Sequence, residues 1–141
     1  MTTETRSNLG WLLDEHLGSV PGVLSAVLLS GDGLLMARTQ SIGQDDAEKL
    51  AAISSTLRIT AKVWDEETGR GGVRALLVES ASGFGLTTAA GTNSVLSVVT
   101  GSEADPGLVS QEMERLVVRL GEHLGTAERA RSLQPDGDSA A

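Results

Sequence analysis

No cysteine occurs in the 141 residues, which excludes disulfides and thiolate metal ligands. The two histidines, His16 and His123, stand far apart without a companion at metal-ligand spacing, so no bound metal is expected. Aromatics are reduced to Trp11, Trp64 and Phe84, too few for a platform on which bases or sugar rings stack, and the core must be aliphatic. Positive charge is short as well: eleven Lys and Arg against nineteen Asp and Glu give a formal net charge of -8. Phosphate backbones need clustered cations, so nucleic acid is disfavoured as a partner. Neither a run of eighteen apolar residues nor a basic start leading into an apolar stretch is present. The sequence therefore reads as cytoplasmic with no direct membrane insertion, any recruitment to a membrane coming through partners.

What is present is one run of patterned elements. Residues 1-8 are polar and aperiodic, and residues 125-141 carry Pro135, Asp136, Gly137 and Asp138 in a similarly polar stretch, so both ends are expected to be disordered around one domain at 9-124. Leu9, Leu12, Leu13, Leu17 and Val20 recur at helical spacing after a capping Ser7 or Asn8, and Pro21-Gly22 closes this first helix. Val23 to Ser30 and Leu34 to Thr39 form a hairpin around Gly31-Asp32-Gly33. In its first strand Val23, Val27 and Leu29 share one face and Leu24, Ala26 and Leu28 the other, so both faces must be covered. A long helix from about Asp45 to Glu67 has acids at its start and Gly69 at its exit. Three strands follow, Val73 to Glu79, Phe84 to Ala90 and Ser94 to Thr100. The last helix, from about Leu108 to Leu124, sets Val109, Met113, Leu116, Val117, Leu120 and Leu124 along one stripe. The order αββαβββα predicts an α/β (α+β) fold, a five-stranded antiparallel sheet with one helix on one face and two on the other.

The middle helix carries two apolar faces. At 100° per residue, Leu50, Ile53, Leu57, Ala61 and Trp64 form a broad stripe assigned to the core. Ala52, Thr56, Ile59 and Val63 form a second stripe too apolar for a solvated surface, with Glu48, Arg58, Lys62 and Glu66 as a charged wedge. A neighbouring loop or the chain's own tail could cover the second stripe, but a copy of the same helix across a two-fold axis does so more fully. The expected dimer interface is Ala52, Thr56, Ile59, Val63, Val73 and Ala75, with the strand from Val73 adding backbone pairing at the sheet edge.

Chemistry has no foothold in the pattern. A phosphate-binding loop needs G-x-x-x-x-G-K-[ST], which does not occur, and serine is never framed as G-x-S-x-G. Gly31-Asp32-Gly33 and Gly69-Arg70-Gly71-Gly72 sit where elements meet and read as turns, with Asp32 expected to bond its own backbone. His16 borders the apolar face of the first helix, and Asp45-Asp46 and Glu66-Glu67 read as solvated charge at helix ends. The chain is not expected to be an enzyme or to hold a cofactor.

Val20 to Ala37, reading V-P-G-V-L-S-A-V-L-L-S-G-D-G-L-L-M-A, resembles the start of a Roadblock (dynein light chain-like) domain, in which a helix leads through V-x-G-V into a hairpin closed by D-G-L. The likeness extends in element order over about residues 9 to 124 and is greatest to short bacterial members from conservon operons. It implies a sheet with the middle helix on one face, homodimers joined through middle helices and edge strands, and a small Ras-like GTPase as partner. One bacterial relative activates its GTPase without inserting an arginine finger. On this basis Arg58, Lys62, Asp65 and Glu66 are expected to bind the partner, in a scaffold or regulator of the GTPase. The alternative is a structural adaptor that clamps a sensor-kinase-like protein to other operon products without touching nucleotide state.

Overall fold

The structure, a computed structural model, describes residues 3–133 and the side chains of residues 9–124. Its elements are α1 (Thr3–Leu17), β1 (Val23–Ser30), β2 (Leu35–Arg38), α2 (Gln44–Thr68), β3 (Ala75–Ser80), β4 (Gly83–Ala89), β5 (Ser94–Thr100) and α3 (Pro106–Leu133), in the expected order. The strands make one antiparallel sheet ordered β2-β1-β5-β4-β3, so β1 and β5 are central and β3 is an edge. Among the described residues no helix is long and apolar enough to cross a membrane.

The helices are longer than the apolar stripes that suggested them. α1 starts at Thr3, ahead of the expected cap at Ser7 or Asn8, and α3 continues past Leu124 to Leu133. Packed turns nucleate a helix, and extension through residues without Pro then costs little, so the backbone runs on where the buried stripe has stopped. Met1, Thr2 and residues 134–141, which belong to the ends expected to be disordered, lie outside the described residues.

Alternation along β1 sorts the core into two layers. Ala26 and Leu28 join Leu9, Leu12, Leu13 and Leu17 of α1 and Val109, Met113, Leu116 and Leu120 of α3 in a large aliphatic core on one face. Val27 and Leu29 turn to the other face, where they meet Ala47 and Ala51 of α2 with Val95 beside them, and the partly buried Leu35, Ile42 and Leu50 pack against this smaller cluster. Leu24 does not follow the predicted alternation. A register shift between Val23 and Ser25 turns Leu24 out to solvent and brings Val23 against the α1/α3 core instead.

Side chains clasp α1 to α3. Arg119 Nη1 donates to Glu15 Oε2 at 2.6 Å and sits over the Trp11 ring, while His16, nearly buried, has Nδ1 3.7 Å from Glu112 Oε1. In the β1–β2 turn, Ser30 Oγ donates to the Asp32 carboxylate, so Asp32 is held by a neighbouring hydroxyl rather than by its own backbone. Gly33 there has φ +90 and passes so close to α2 that a Cβ would stand 3.2 Å from that of Ser55, which glycine alone accommodates without strain.

Candidate interaction surface

α2 lies on the sheet by its small residues. Its buried positions are Ala47, Ala51, Ser54, Ser55 and Asp65, a stripe at helical spacing. Ser54 Oγ donates to Ser97 Oγ of β5 at 2.8 Å, and Ser97 Oγ lies 3.1 Å from Thr87 Oγ1 of β4, so the polar atoms at this contact satisfy one another. Such short side chains bring the helix axis close to the strands. The exit of α2 is fixed by Gly69, whose left-handed φ 63 and ψ 43 let its N–H bond Asp65 O.

This orientation overturns the assignment of Leu50, Ile53, Leu57, Ala61 and Trp64 as the core stripe. Leu50 and Ala61 are half-buried, but Ile53 and Trp64 are 56% and 61% exposed and Leu57 is exposed too. The sheet beneath offers Thr87 and Ser97, whose hydroxyls are matched by Ser54 rather than by a large apolar side chain. Leu50 packs against the core of Val27, Leu29 and Val95, while Ile53, Leu57 and Trp64 are turned away from it, as is the second predicted stripe. Ile59 and Val63 are 58% and 52% exposed, and Ala52 and Thr56 are exposed beside them. Thr56 and Thr60 donate their hydroxyls to the carbonyls of Ala52 and Thr56, so their polar atoms are satisfied within the helix and can be covered without loss.

The outward face of α2 is continued by the sheet edge. β3 starts at Ala75, two residues later than expected, and pairs only with β4 among the described residues, leaving its outer backbone groups open. Leu77 and Val78 of β3 are exposed. Val78 lines a trough with Ile53 and Leu57, over Thr87 and Ser97. Of the predicted interface residues, Ala75 is exposed at the start of this strand and Val73 is half-buried in the loop before it.

The four predicted partner-binding residues converge on a second feature. Arg58, Lys62, Asp65 and Glu66 all line one cavity of about 570 Å³ between the second half of α2 and the turns around Gly72 and Asn93. They differ in their freedom to act. Asp65 is 8% exposed and its Oδ2 accepts the Gly72 N–H at 2.8 Å, so it anchors the loop that follows its own helix. Lys62 and Glu66 are exposed at the rim. Arg58 is half-buried, and its Nη1 is buried without a hydrogen-bond partner among the described residues. Sequence patterning had given no sign of a cavity with charged walls, because loops distant in sequence supply half of it.

The sequence pattern of the Roadblock/LC7 domain family matches residues 9–100. A solved Roadblock/LC7 domain from Streptomyces avermitilis is 34% identical, with a TM-score of 0.77 over 82% of this chain and 96% of that one. The gliding protein MglB of Thermus thermophilus shares the fold at 15% identity, with a TM-score of 0.75 over 87% of this chain and 93% of its own. MglB of Myxococcus xanthus does so at 16% identity, with a TM-score of 0.72 over 88% and 97%. No curated protein matches the chain.

Proposed function

Since the chain belongs to the Roadblock/LC7 domain family, we propose that it is a non-catalytic homodimeric scaffold that binds a small Ras-like GTPase in a cytoplasmic signalling complex and modulates the GTPase cycle. The observation that carries this reading is the outward face of α2, where Ile53, Leu57, Ile59, Val63 and Trp64 are all exposed beside an open strand edge. A second copy covers both features in one operation, since a two-fold axis sets α2 against α2 and β3 alongside β3. Full burial contributes about 1.5–3 kcal/mol for each large apolar side chain, before association costs are subtracted. The outward face holds more such residues than Ile59 and Val63 alone, which strengthens the case for a stable dimer.

The GTPase meets the dimer at the charged flank of α2, where Lys62 and Glu66 are free at the surface and Arg58 and Asp65 stand behind them. Charge complementarity there sets specificity and association rate more than raw affinity. Nucleotide stays with the partner, because this chain has no phosphate-binding loop of its own.

Titration calorimetry against a Ras-like GTPase, loaded with GDP or with a non-hydrolysable GTP analogue, tests the reading together with the hydrolysis rate with and without this protein. Binding to at least one state and an altered rate are expected. Binding with an unaltered rate assigns the chain as a structural adaptor to a sensor-kinase-like protein, and no binding in either state removes the GTPase from the account.

A further inference from the structure

Trp64, 61% exposed, is the most exposed of the large apolar side chains on α2. It belongs to a stripe, Ile53, Leu57, Thr60 and Trp64, that lies within about 60° on the helical wheel and is exposed throughout. The spacing along this stripe, four, three and four residues, reads the same in both directions. Two such helices laid antiparallel about a two-fold axis at the level of Arg58 and Ile59 set Ile53 against Trp64 of the partner subunit and, in the same step, Leu57 against the partner subunit's Thr60. Thr56 and Val63 then rim the contact.

The trough flanks the same stripe. Leu50, Ile53 and Leu57 form its helical wall and Val78 and Phe84 line it from the sheet, around about 350 Å³ with Thr87 and Ser97 below. Its size and apolar walls suit an indole ring. The sheet edge directs a second copy to this side of α2. Val73, in the loop ahead of β3, lines the cavity on one flank of the helix, whereas Val78 and Ser80 of β3 line the trough on the other. β3 thus runs out on the trough side, and pairing it with its copy about its own middle brings the second α2 down over the trough.

We infer that the trough is the receptor for Trp64 of the partner subunit, so that each protomer's Trp64 closes the other's trough and fixes the register of the two α2 helices. The inference rests on the homodimer proposed above and adds the residue that locks it. Thr60 allows close approach at the centre, because it is short and its hydroxyl already donates to Thr56 O. Trp64 at each end supplies a large, stiff ring, the kind of side chain that dominates binding at interfaces.

Fluorescence and a double-mutant cycle test this contact in the full chain. Trp11 stands at the clasp between α1 and α3, and Trp11→Phe leaves Trp64 as the sole indole. Its emission should be blue-shifted in the dimer and move to the red on dilution, in step with the loss of dimer mass in sedimentation. Trp64→Ala should raise the dimer dissociation constant by about a hundredfold or more. Val78→Asp, at a position exposed in the protomer, should raise it as well. Ile53 and Trp64 stand eleven residues apart, about 16 Å along one helix, too far to couple within a protomer. Across the axis they touch, so Ile53→Ala should weaken the wild-type dimer by about tenfold but the Trp64→Ala dimer by less than about threefold. A dimer whose Trp64 emission does not shift on dissociation, or in which the two losses multiply, overturns the inference and leaves the homodimer standing. A wild-type chain that is a monomer at every concentration removes the homodimer and this contact with it.

Discussion

The hydroxyl of Ser54 on α2 donates to that of Ser97 on β5 at 2.8 Å, with both residues buried, and this contact sets how the helix presents itself to the outside. Because serine rather than leucine faces the sheet, the helix sits close, and Ile53, Leu57, Ile59, Val63 and Trp64 are left exposed in the protomer. An exposed apolar surface results from what the inner face lacks.

Enlarging that inner face should lift the helix. Ser54→Leu inserts an apolar side chain against Ser97 and Thr87 and should destabilise the fold by about 1–3 kcal/mol through overpacking. Ser54→Ala removes one hydrogen bond but leaves Ser97 with Thr87, and should cost about 1 kcal/mol or less. Urea unfolding of the two variants orders them, and an alanine variant less stable than the leucine variant would contradict the close approach of α2.

A contrast between two large aliphatic residues separates core from surface. Leu28 is fully buried among α1 and α3, and Leu28→Ala should cost about 2–5 kcal/mol. Ile53 is exposed in the protomer, so Ile53→Ala should leave the fold of an isolated protomer within about 0.5 kcal/mol of wild type. Chemical denaturation in a monomeric background checks both. A loss at Ile53 comparable to that at Leu28 would restore it to the core.

The order of elements was legible because its boundaries are marked chemically. Pro21-Gly22, Gly31-Asp32-Gly33, Gly69 and Ser82 fall between elements, and Val109, Met113, Leu116 and Leu120 of the α3 stripe are buried as their spacing predicts. The orientation of α2 was not legible from hydrophobicity, since large apolar residues ordinarily mark the core face. Its signal was of another kind: Ala47, Ala51, Ser54 and Asp65 recur at helical spacing, and the facing strands carry Thr87 and Ser97. Leu24 was misplaced because a bulge inverts the alternation locally, and bulges leave little trace in apolar pattern. Arg58, Lys62, Asp65 and Glu66 are neighbours on one helix, but the cavity they line depends on turns near Gly72 and Asn93 that no helical wheel brings into view.

The carboxyl-terminal segment should be dispensable for folding. In the apolar stripe of α3, Val109, Met113, Leu116 and Leu120 are buried and Val117 and Leu124 half-buried, so truncation after Gly125 removes backbone helix but none of these residues. The melting temperature should fall by no more than a few degrees. A drop of ten degrees or more would show that residues beyond 125 pack against the domain.

Charge reversal at the rim should separate partner binding from assembly. Lys62→Glu with Glu66→Lys exchanges two exposed charges without changing their sum, so fold and oligomeric state should persist. Affinity for the GTPase should drop several-fold, mainly through a slower association rate. Stopped-flow association at low and high salt reads this directly, and unchanged kinetics would move the partner contact off this flank.

Oligomeric state tests the central claim most directly. Sedimentation equilibrium of the wild-type chain across micromolar concentrations should give twice the 14.6 kDa protomer mass. Ile59→Glu with Val63→Glu, which places charge on the outward face of α2, should give the protomer mass with an unchanged helical circular dichroism spectrum. A wild-type chain that sediments as a single 14.6 kDa species over that range, or a folded double variant that remains a dimer, would contradict the assignment of this helical face as the surface on which two copies meet.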